Sequence, residues 1–356
     1  MVKTLEHSKA PEDVASRKAF LKRWDKGVLA NYKEANFLQS AAWYQTNEQI
    51  GHYVDAFTID LGTEKNEGFA LYIVKDARRG RYMEVPGGPL INWQDHSAVS
   101  TMLDTLKTMA RAYGCAFVRI RPQLESTAKN LTLLKDLGLK PAPMHLHAEH
   151  TVIIDLKKSE ADLLAAMRRQ TRYEVRRAEK QGIKVDSTPA DSPRFPDLLS
   201  EFYETQQQTA TRQHFIPPSR AELEAECQAF SKNASLYVAR TEDGAPIAYG
   251  LILKWGVEAD YFEAASTELN RKLPGAYALL WQAMKDLKTE GYERFNLWGI
   301  APAGQPHHRY AKVTTFKTGF GGEIVNFVPA HDLIVNKVKY LPNYLVETAR
   351  KKHRHL

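Results

Sequence analysis

Cysteine is scarce in this chain: Cys115 and Cys227 are the two present in 356 residues, with no CxxC pair and no metal-ligand spacing around them. That scarcity argues against a disulfide framework and for a reducing compartment, so the cytoplasm is expected. The opening residues, MVKTLEHSKAPEDVASRKAF, hold no apolar core of the kind a secretory signal requires. No apolar run of about eighteen residues occurs, which removes a membrane-spanning helix from consideration. Familiar catalytic signatures are missing as well, with no GxSxG, P-loop, HExxH or strand-borne GxGxxG. The pair His307–His308 sits in the polar loop APAGQPHHRY without a third ligand, so neither a metal nor another cofactor is expected.

What remains is the composition of a soluble globular protein, 43% hydrophobic and 26% charged, at a length suited to two domains. The net charge of +7, from 49 Lys+Arg against 42 Asp+Glu, admits an anionic partner such as tRNA, a nucleotide-linked substrate or an acidic membrane surface.

An order of elements recurs along the chain. In the first half GFALYIVKDARRGRYMEVPGGP (68–89) reads as two strands around a polar turn. A helix over 97–114 and a buried strand, CAFVRIRP (115–122), follow. The second half repeats this as AYGLILKWGVEADYFEAAS (248–266), a helix from Gly275 to Glu290 and the strand ERFNLWGI (293–300). Met102, Leu103, Leu106, Met109 and Ala110 keep helical spacing, as do Leu279, Leu280, Ala283, Met284 and Leu287. Both helices end near a glycine, Gly114 and Gly291. The expectation is a duplicated α/β domain with mixed sheets and a cleft between the halves. Residues 1–150 form the first domain, with the segment from about 327 to 356 returning to it or trailing as a tail. Residues 151–326 form the second.

Five segments have the chemistry of a site. In FKTGFGG (316–322) Lys317 stands beside Phe316 and ahead of glycines whose backbone can approach a ligand closely, so its ammonium can stabilise negative charge developing in a reaction. In MRRQTRYEVRRAEKQGIK (167–184) Arg169, Arg172, Arg176 and Lys180 share one helical face suited to phosphates of RNA, with Val175 and Ala178 facing inward. In FYETQQQTATRQHF (202–215) Arg212 offers a planar fork for a diphosphate or carboxylate, and His214 is a lesser candidate as a base. Gly87 and Gly88 in PGGPL, and Gly275 in RKLPGAY at a helix start that favours anions, allow close backbone approach.

Nine segments, in order, carry a resemblance: FLQSAAWYQ (37–45), VPGGPL (85–90), RIRP (119–122), TRYEVRRAEKQGIKV (171–185), TATRQHF (209–215), YFEAAS (261–266), PGAYALLWQAM (274–284), LWGI (297–300) and FKTGFGG (316–322). The chain resembles the Fem family of non-ribosomal peptidyltransferases, which add amino acids from aminoacyl-tRNA to peptidoglycan precursors. The resemblance implies a tandem of two acetyltransferase-like (GNAT) domains. Only PSRAELEAECQAFS occupies the interval where larger members insert a coiled-coil arm, so a compact, arm-less member is implied.

By position, the resemblance implies that Lys317, with Phe316, stabilises the transition state at the aminoacyl carbonyl. It implies that Arg212 contacts the precursor's diphosphate, and that Tyr261, Glu263, Trp43, Gly87 and Gly88 line the precursor site. Arg169, Arg172, Arg176 and Lys180 are the implied tRNA contacts. The acceptor is a UDP-MurNAc-peptide or its lipid-linked counterpart, reached by a monomeric protein in the cytoplasm or at the inner membrane surface, where the basic ARKKHRHL can meet anionic headgroups. Three departures bear on the precursor: Gln45 and Asn47 stand where compact members carry lysine, Arg121 where they carry aspartate, and Glu263 where tyrosine is expected. An acyl-CoA-dependent N-acyltransferase on the same fold and a non-catalytic RNA-binding protein are the alternatives.

Overall fold

The computed structural model describes residues 14–60, 67–144, 147–213, 215–305 and 310–353; His214, the pair His307–His308 and the end of the basic tail lie outside them. Two compact units divide the chain, one from Met1–Glu149 with Asn326–Leu356 and one from His150–Val325.

In chain order the elements are α1 (Val14–Asn31), α2 (Ala41–Gln49), β1 (Tyr53–Asp60), β2 (Glu67–Ala77), β3 (Gly80–Val85), α3 (His96–Ala112), β4 (Phe117–Ile120), α4 (Ala128–Asp136) and β5 (Lys140–Pro141). Then come β6 (His150–Asp155), α5 (Glu160–Ala166), α6 (Arg169–Lys180), β7 (Lys184–Pro189), α7 (Phe195–Gln213), α8 (Arg220–Phe230), β8 (Ala234–Arg240), β9 (Pro246–Trp255) and β10 (Glu258–Ser266). The last are α9 (Gly275–Thr289), β11 (Arg294–Gly299), α10 (Ala311–Thr318), β12 (Glu323–Asn326), β13 (His331–Ile334) and α11 (Lys337–His353).

A six-stranded sheet runs β1-β2-β3-β4-β13-β5, and a seven-stranded sheet runs β12-β6-β11-β10-β9-β8-β7. The repeat expected from sequence is present at the level of strand sense. Strands β2 and β3 form an antiparallel hairpin, α3 crosses over, and β4 returns parallel to β3. Strands β9 and β10, helix α9 and strand β11 do the same. In each sheet one more strand lies antiparallel to the returning one, β13 on β4 and β6 on β11. The architecture is α/β with mixed sheets.

Apolar spacing decides which helix faces turn inward. Met102, Leu106 and Ala110 of α3 are sealed with Phe57, Tyr72 and Val118 in the first core. Leu279, Leu280, Ala283, Met284 and Leu287 of α9 are fully buried in the second, against Phe295 and Ile252. Helix α3 is started by Asp95, whose carboxylate accepts from the amides of Ser97 and Ala98. The interval where an arm would sit holds the short helix α8, closed at its start by a capping box between Ser219 and Glu222.

Candidate active site

Within the second unit, β10 and β11 separate in mid-sheet. Their parallel pairing covers Glu258–Arg294, Ala259–Phe295 and Asp260–Asn296 and then stops. Beyond that point β10 shifts register against β9 between Tyr261 and Glu263, and β11 shifts against β6 between Asn296 and Gly299. Such bulges bend a strand and re-aim its side chains. Trp298 holds the bend of β11 with a φ of 60°, a left-handed conformation that costs about 1–3 kcal/mol in a non-glycine residue. The Asn296 side-chain oxygen accepts from the Trp298 amide at 2.9 Å and also bonds the Thr151 hydroxyl, which fixes the distortion.

Lys317 enters this opening from α10. Its Nζ donates to the Gly299 carbonyl at 2.9 Å and lies 5.9 Å from the centre of the Tyr261 ring. The side chain is 8% exposed, an unusual place for a lysine. Burial brings its pKa down to about 7, with the Glu263 carboxylate pulling the other way. Glu263 mirrors it: burial lifts its carboxyl to about 7 against the opposing pull of Lys317 and of Gln206. Gln206 on α7 donates from Nε2 to Glu263 Oε2 at 2.7 Å. Tyr261 has its room because Gly250 lies beside it; a Cβ there would come within 2.6 Å of the ring. Burial also raises the Tyr261 phenol, with Glu263 adding to the effect.

Sequence reasoning missed two residues behind this pair. Among the described residues, the Oε2 of Glu226 on α8 is buried without a hydrogen-bond partner, and so is the Oε1 of Gln206. Burial, then the charge of Glu263, pushes the Glu226 carboxyl well above the usual range. A signal was available: Leu223, Glu226, Cys227 and Phe230 share one face of α8, and all are buried, so the carboxyl sits on an apolar stripe.

Phe316 packs at 5.0 Å from Tyr277 of α9 and 5.3 Å from Phe320, ring centre to ring centre, and so anchors α10. The glycines that follow Lys317 correct an expectation. A Cβ at Gly321 would meet the Ala166 carbonyl oxygen at 2.9 Å, and one at Gly322 the Ile153 carbonyl oxygen at 2.6 Å. They allow the chain to approach its own backbone, not a ligand. The same turn receives α6: the Arg168 amide donates to the Gly319 carbonyl at 2.9 Å, and the Arg168 guanidinium bonds the Thr315 carbonyl.

Helix α6 buries Thr171, Val175 and Ala178. Arg169, Arg176 and Lys180 are exposed and have no ion-pair partner among the described residues. Arg172 differs: its guanidinium bonds the Ala165 and Met167 carbonyls and closes the end of α5. A shallow groove of about 430 Å³ beside Arg169 is lined by Gln170 and the exposed ring of Tyr173.

The other anticipated residues make contacts of their own. Arg212, at the end of α7, pairs with Glu268 at 3.1 Å and bonds the Ser266 carbonyl. In the first unit Trp43 is buried edge-on to Phe37 at 5.6 Å. A Cβ on Gly87 would meet Leu38 at 3.2 Å, and one on Gly88 would meet Gln39 at 2.8 Å, so both glycines serve packing within that unit. Gly275 likewise lies against Ile247, and the next amide, of Ala276, is taken by Asn270 Oδ1 at 3.0 Å, so this helix start is not the open anion site its sequence suggests. Arg121 is 2% exposed, 5.6 Å from the centre of the Phe327 ring, and burial brings it down to about 10. Among the described residues no group of His, Cys, Asp and Glu is arranged to hold a metal.

Residues 28–135, 138–243 and 224–348 match the FemAB family. Aminoacyltransferase FemA of Staphylococcus aureus (strain MRSA252) is 19% identical over 405 aligned positions, covering 89% of this chain and 96% of that protein. The crystal structure of FemX superimposes with a TM-score of 0.78 at 18% identity, covering 92% of this chain and 98% of that one. A tandem GNAT protein from the clavulanic acid biosynthesis pathway gives a TM-score of 0.56 at 9% identity, over 90% of this chain and 96% of that one. These two likenesses concern the fold, a tandem of GNAT-like units. Since the family match runs from residue 28 to residue 348, the chain belongs to the FemAB family.

Proposed function

We propose that the protein is an aminoacyltransferase that takes an amino acid from aminoacyl-tRNA and adds it to the stem peptide of a peptidoglycan precursor. The observation that carries this reading is the buried Lys317 ammonium beside the Glu263 carboxylate, in the opening between β10 and β11. Such a pair suits attack of an amine on an ester. The ester is already activated, so positioning and charge stabilisation supply most of the catalysis.

In the proposed reaction the acceptor amine loses a proton to Glu263 as its nitrogen bonds to the ester carbonyl carbon. The carbonyl oxygen becomes an oxyanion, and Lys317 holds that charge. When the oxyanion collapses, the carbon–oxygen bond to the tRNA breaks. The leaving ribose oxygen takes a proton, released by the carboxyl of Glu263, and departs as a hydroxyl. No covalent intermediate on the protein is needed, consistent with a chain that has no catalytic triad signature.

The exposed Arg169, Arg176 and Lys180, with the ring of Tyr173 beside them, support α6 as the surface that meets the tRNA backbone. Arg212 is a candidate for the acceptor's phosphates once Glu268, itself 58% exposed, is displaced. The first unit is assigned to precursor binding, and a cytoplasmic site of action follows from the tRNA substrate. The acyl-CoA alternative is weakened by the start of α9, where Asn270 already occupies an amide that an anion would use. Among the described residues, no helix is long and apolar enough to cross a membrane.

The test is a reaction of purified protein with charged tRNAs and either nucleotide-linked or lipid-linked precursor, read by mass spectrometry of the muropeptide. A precursor heavier by one or more amino acid residues is expected, and Lys317→Met should reduce turnover by about 10²–10³ while precursor still binds. Unchanged turnover in that variant would remove Lys317 from the mechanism.

A further inference from the structure

Helix α11 is amphipathic, with its apolar stripe on the side away from the core. Tyr340 and Asn343 face inward: the Tyr340 hydroxyl donates to Asp332 at 3.0 Å, and Asn343 donates to the Arg79 carbonyl at 3.2 Å. Glu347 is tied by Arg119 at 2.8 Å. These bonds fix the rotation of the helix about its axis. Val338, Leu341, Pro342, Leu345 and Ala349 are therefore exposed along one line, at the spacings three, four and seven that define a helical face. Val338 is 83% exposed, Leu341 55% and Leu345 58%, which makes this helix the densest run of exposed large apolar side chains among the described residues. A continuous stripe of this kind marks an interaction surface, unlike apolar residues scattered singly.

Charge identifies the occupant. Lys337, Lys339, Arg350 and Lys351 are exposed on the same helix, and its one acid, Glu347, is turned inward to Arg119. The outward side thus combines an apolar stripe with basic residues at both ends and no exposed carboxylate. A helix of that design lies in the plane of an anionic bilayer surface, its stripe among the upper acyl chains and its cations at the headgroups. A second copy of the chain is a poor fit, since two such faces would bring like charges together.

We propose that the outward face of α11 is a docking surface for an anionic lipid bilayer. The binding does not depend on aminoacyl transfer. Its consequence for the acceptor, that a lipid-linked precursor is met at the same surface, rests on the function proposed above.

The experiment is sedimentation of the full chain with vesicles of phosphatidylcholine containing about one-third phosphatidylglycerol, and with vesicles of phosphatidylcholine alone. Saturable binding to the anionic vesicles is expected, with little to the neutral ones. Each basic residue near the surface is worth about fivefold in partition, so Lys337→Glu combined with Lys339→Glu should weaken binding more than about tenfold. Leu341→Asp should weaken it at least as much without altering the circular dichroism spectrum, because Leu341 is 55% exposed. Equal binding by Leu341→Asp and the parent chain, or by both vesicle types, would overturn the proposal. So would the absence of binding by the parent chain, or a vesicle-free dimer that Leu341→Asp abolishes. None of these readouts uses turnover, so failure here is separable from failure of the transferase reading.

Discussion

Lys317 and Glu263 are charge partners that burial has drawn to the same pKa, about 7 for each. At neutral pH the pair is therefore poised between a separated-charge form and a neutral one. Exchange of a single proton between amine, carboxyl and substrate then has little driving force against it.

A bell-shaped dependence of turnover on pH, centred near 7, is expected in the transfer reaction. Protonation of Glu263 removes the base on the acid side, and loss of the Lys317 proton removes the ammonium on the alkaline side. In Glu263→Gln the acid limb should vanish and the rate should fall by about 10²–10⁴. The alkaline limb should move to lower pH, because the carboxylate that raises the Lys317 pKa has gone. A Glu263→Gln profile superimposable on the parent one would exclude this role.

Stability should depend on pH through the same lysine. Its folded pKa, about 7, lies below its ordinary value of 10.5, so between those limits the unfolded chain binds the extra proton. The penalty for burying the charge is complete below pH 7 and is relieved as pH rises toward 10.5. Lys317→Met lacks this penalty, so its melting temperature relative to the parent should decline steadily from pH 7 to pH 10. A difference independent of pH would show that the amine is not buried as described.

Replacing Arg176 and Lys180 by glutamine should weaken use of aminoacyl-tRNA by raising its KM, with kcat nearly unchanged. The slope of log affinity against log salt should lose about 0.7–0.9 for each phosphate contact removed. Arg172→Gln provides the contrast: its guanidinium closes α5, so its main effect should be on thermal stability. If salt sensitivity is unaltered when Arg176 and Lys180 are both replaced, α6 does not contact nucleic acid.

Gly322→Ala should destabilise the second unit by about 2 kcal/mol or more, since the new Cβ would be driven toward the Ile153 carbonyl oxygen at a backbone φ of 88°. Differential scanning calorimetry would measure it. A loss below about 0.5 kcal/mol would mean that the turn relaxes freely and does not position Lys317.

The elements that rest on local periodicity were legible in the sequence. Apolar spacing located α3 and α9, and the repeated hairpin, helix and strand were readable from their alternation. Lys317 stood out through its aromatic neighbour and its glycines, although those glycines turned out to pack against Ala166 and Ile153. What was not legible depends on register and distance. Nothing local announces that β10 and β11 part after Asp260 and Asn296, because a bulge is a relation between strands. Arg172 has the spacing of a phosphate contact and was assigned as one, yet its position beside the end of α5 decides its use. Glu226 was readable from the apolar face of α8 but passed unnoticed among its charged neighbours.

The placement of β13 has a consequence for synthesis on the ribosome. Every strand of the seven-stranded sheet has been made once Asn326 is translated, whereas the six-stranded sheet lacks the strand that sits between β4 and β5 until His331–Ile334 appears. The half of the molecule that is translated first is thus the half whose pairing is finished last. Until then β4 presents an unpaired edge of the kind that recruits foreign strands, and a ribosome stalled just short of His331 would release a chain with one sheet closed and the other open.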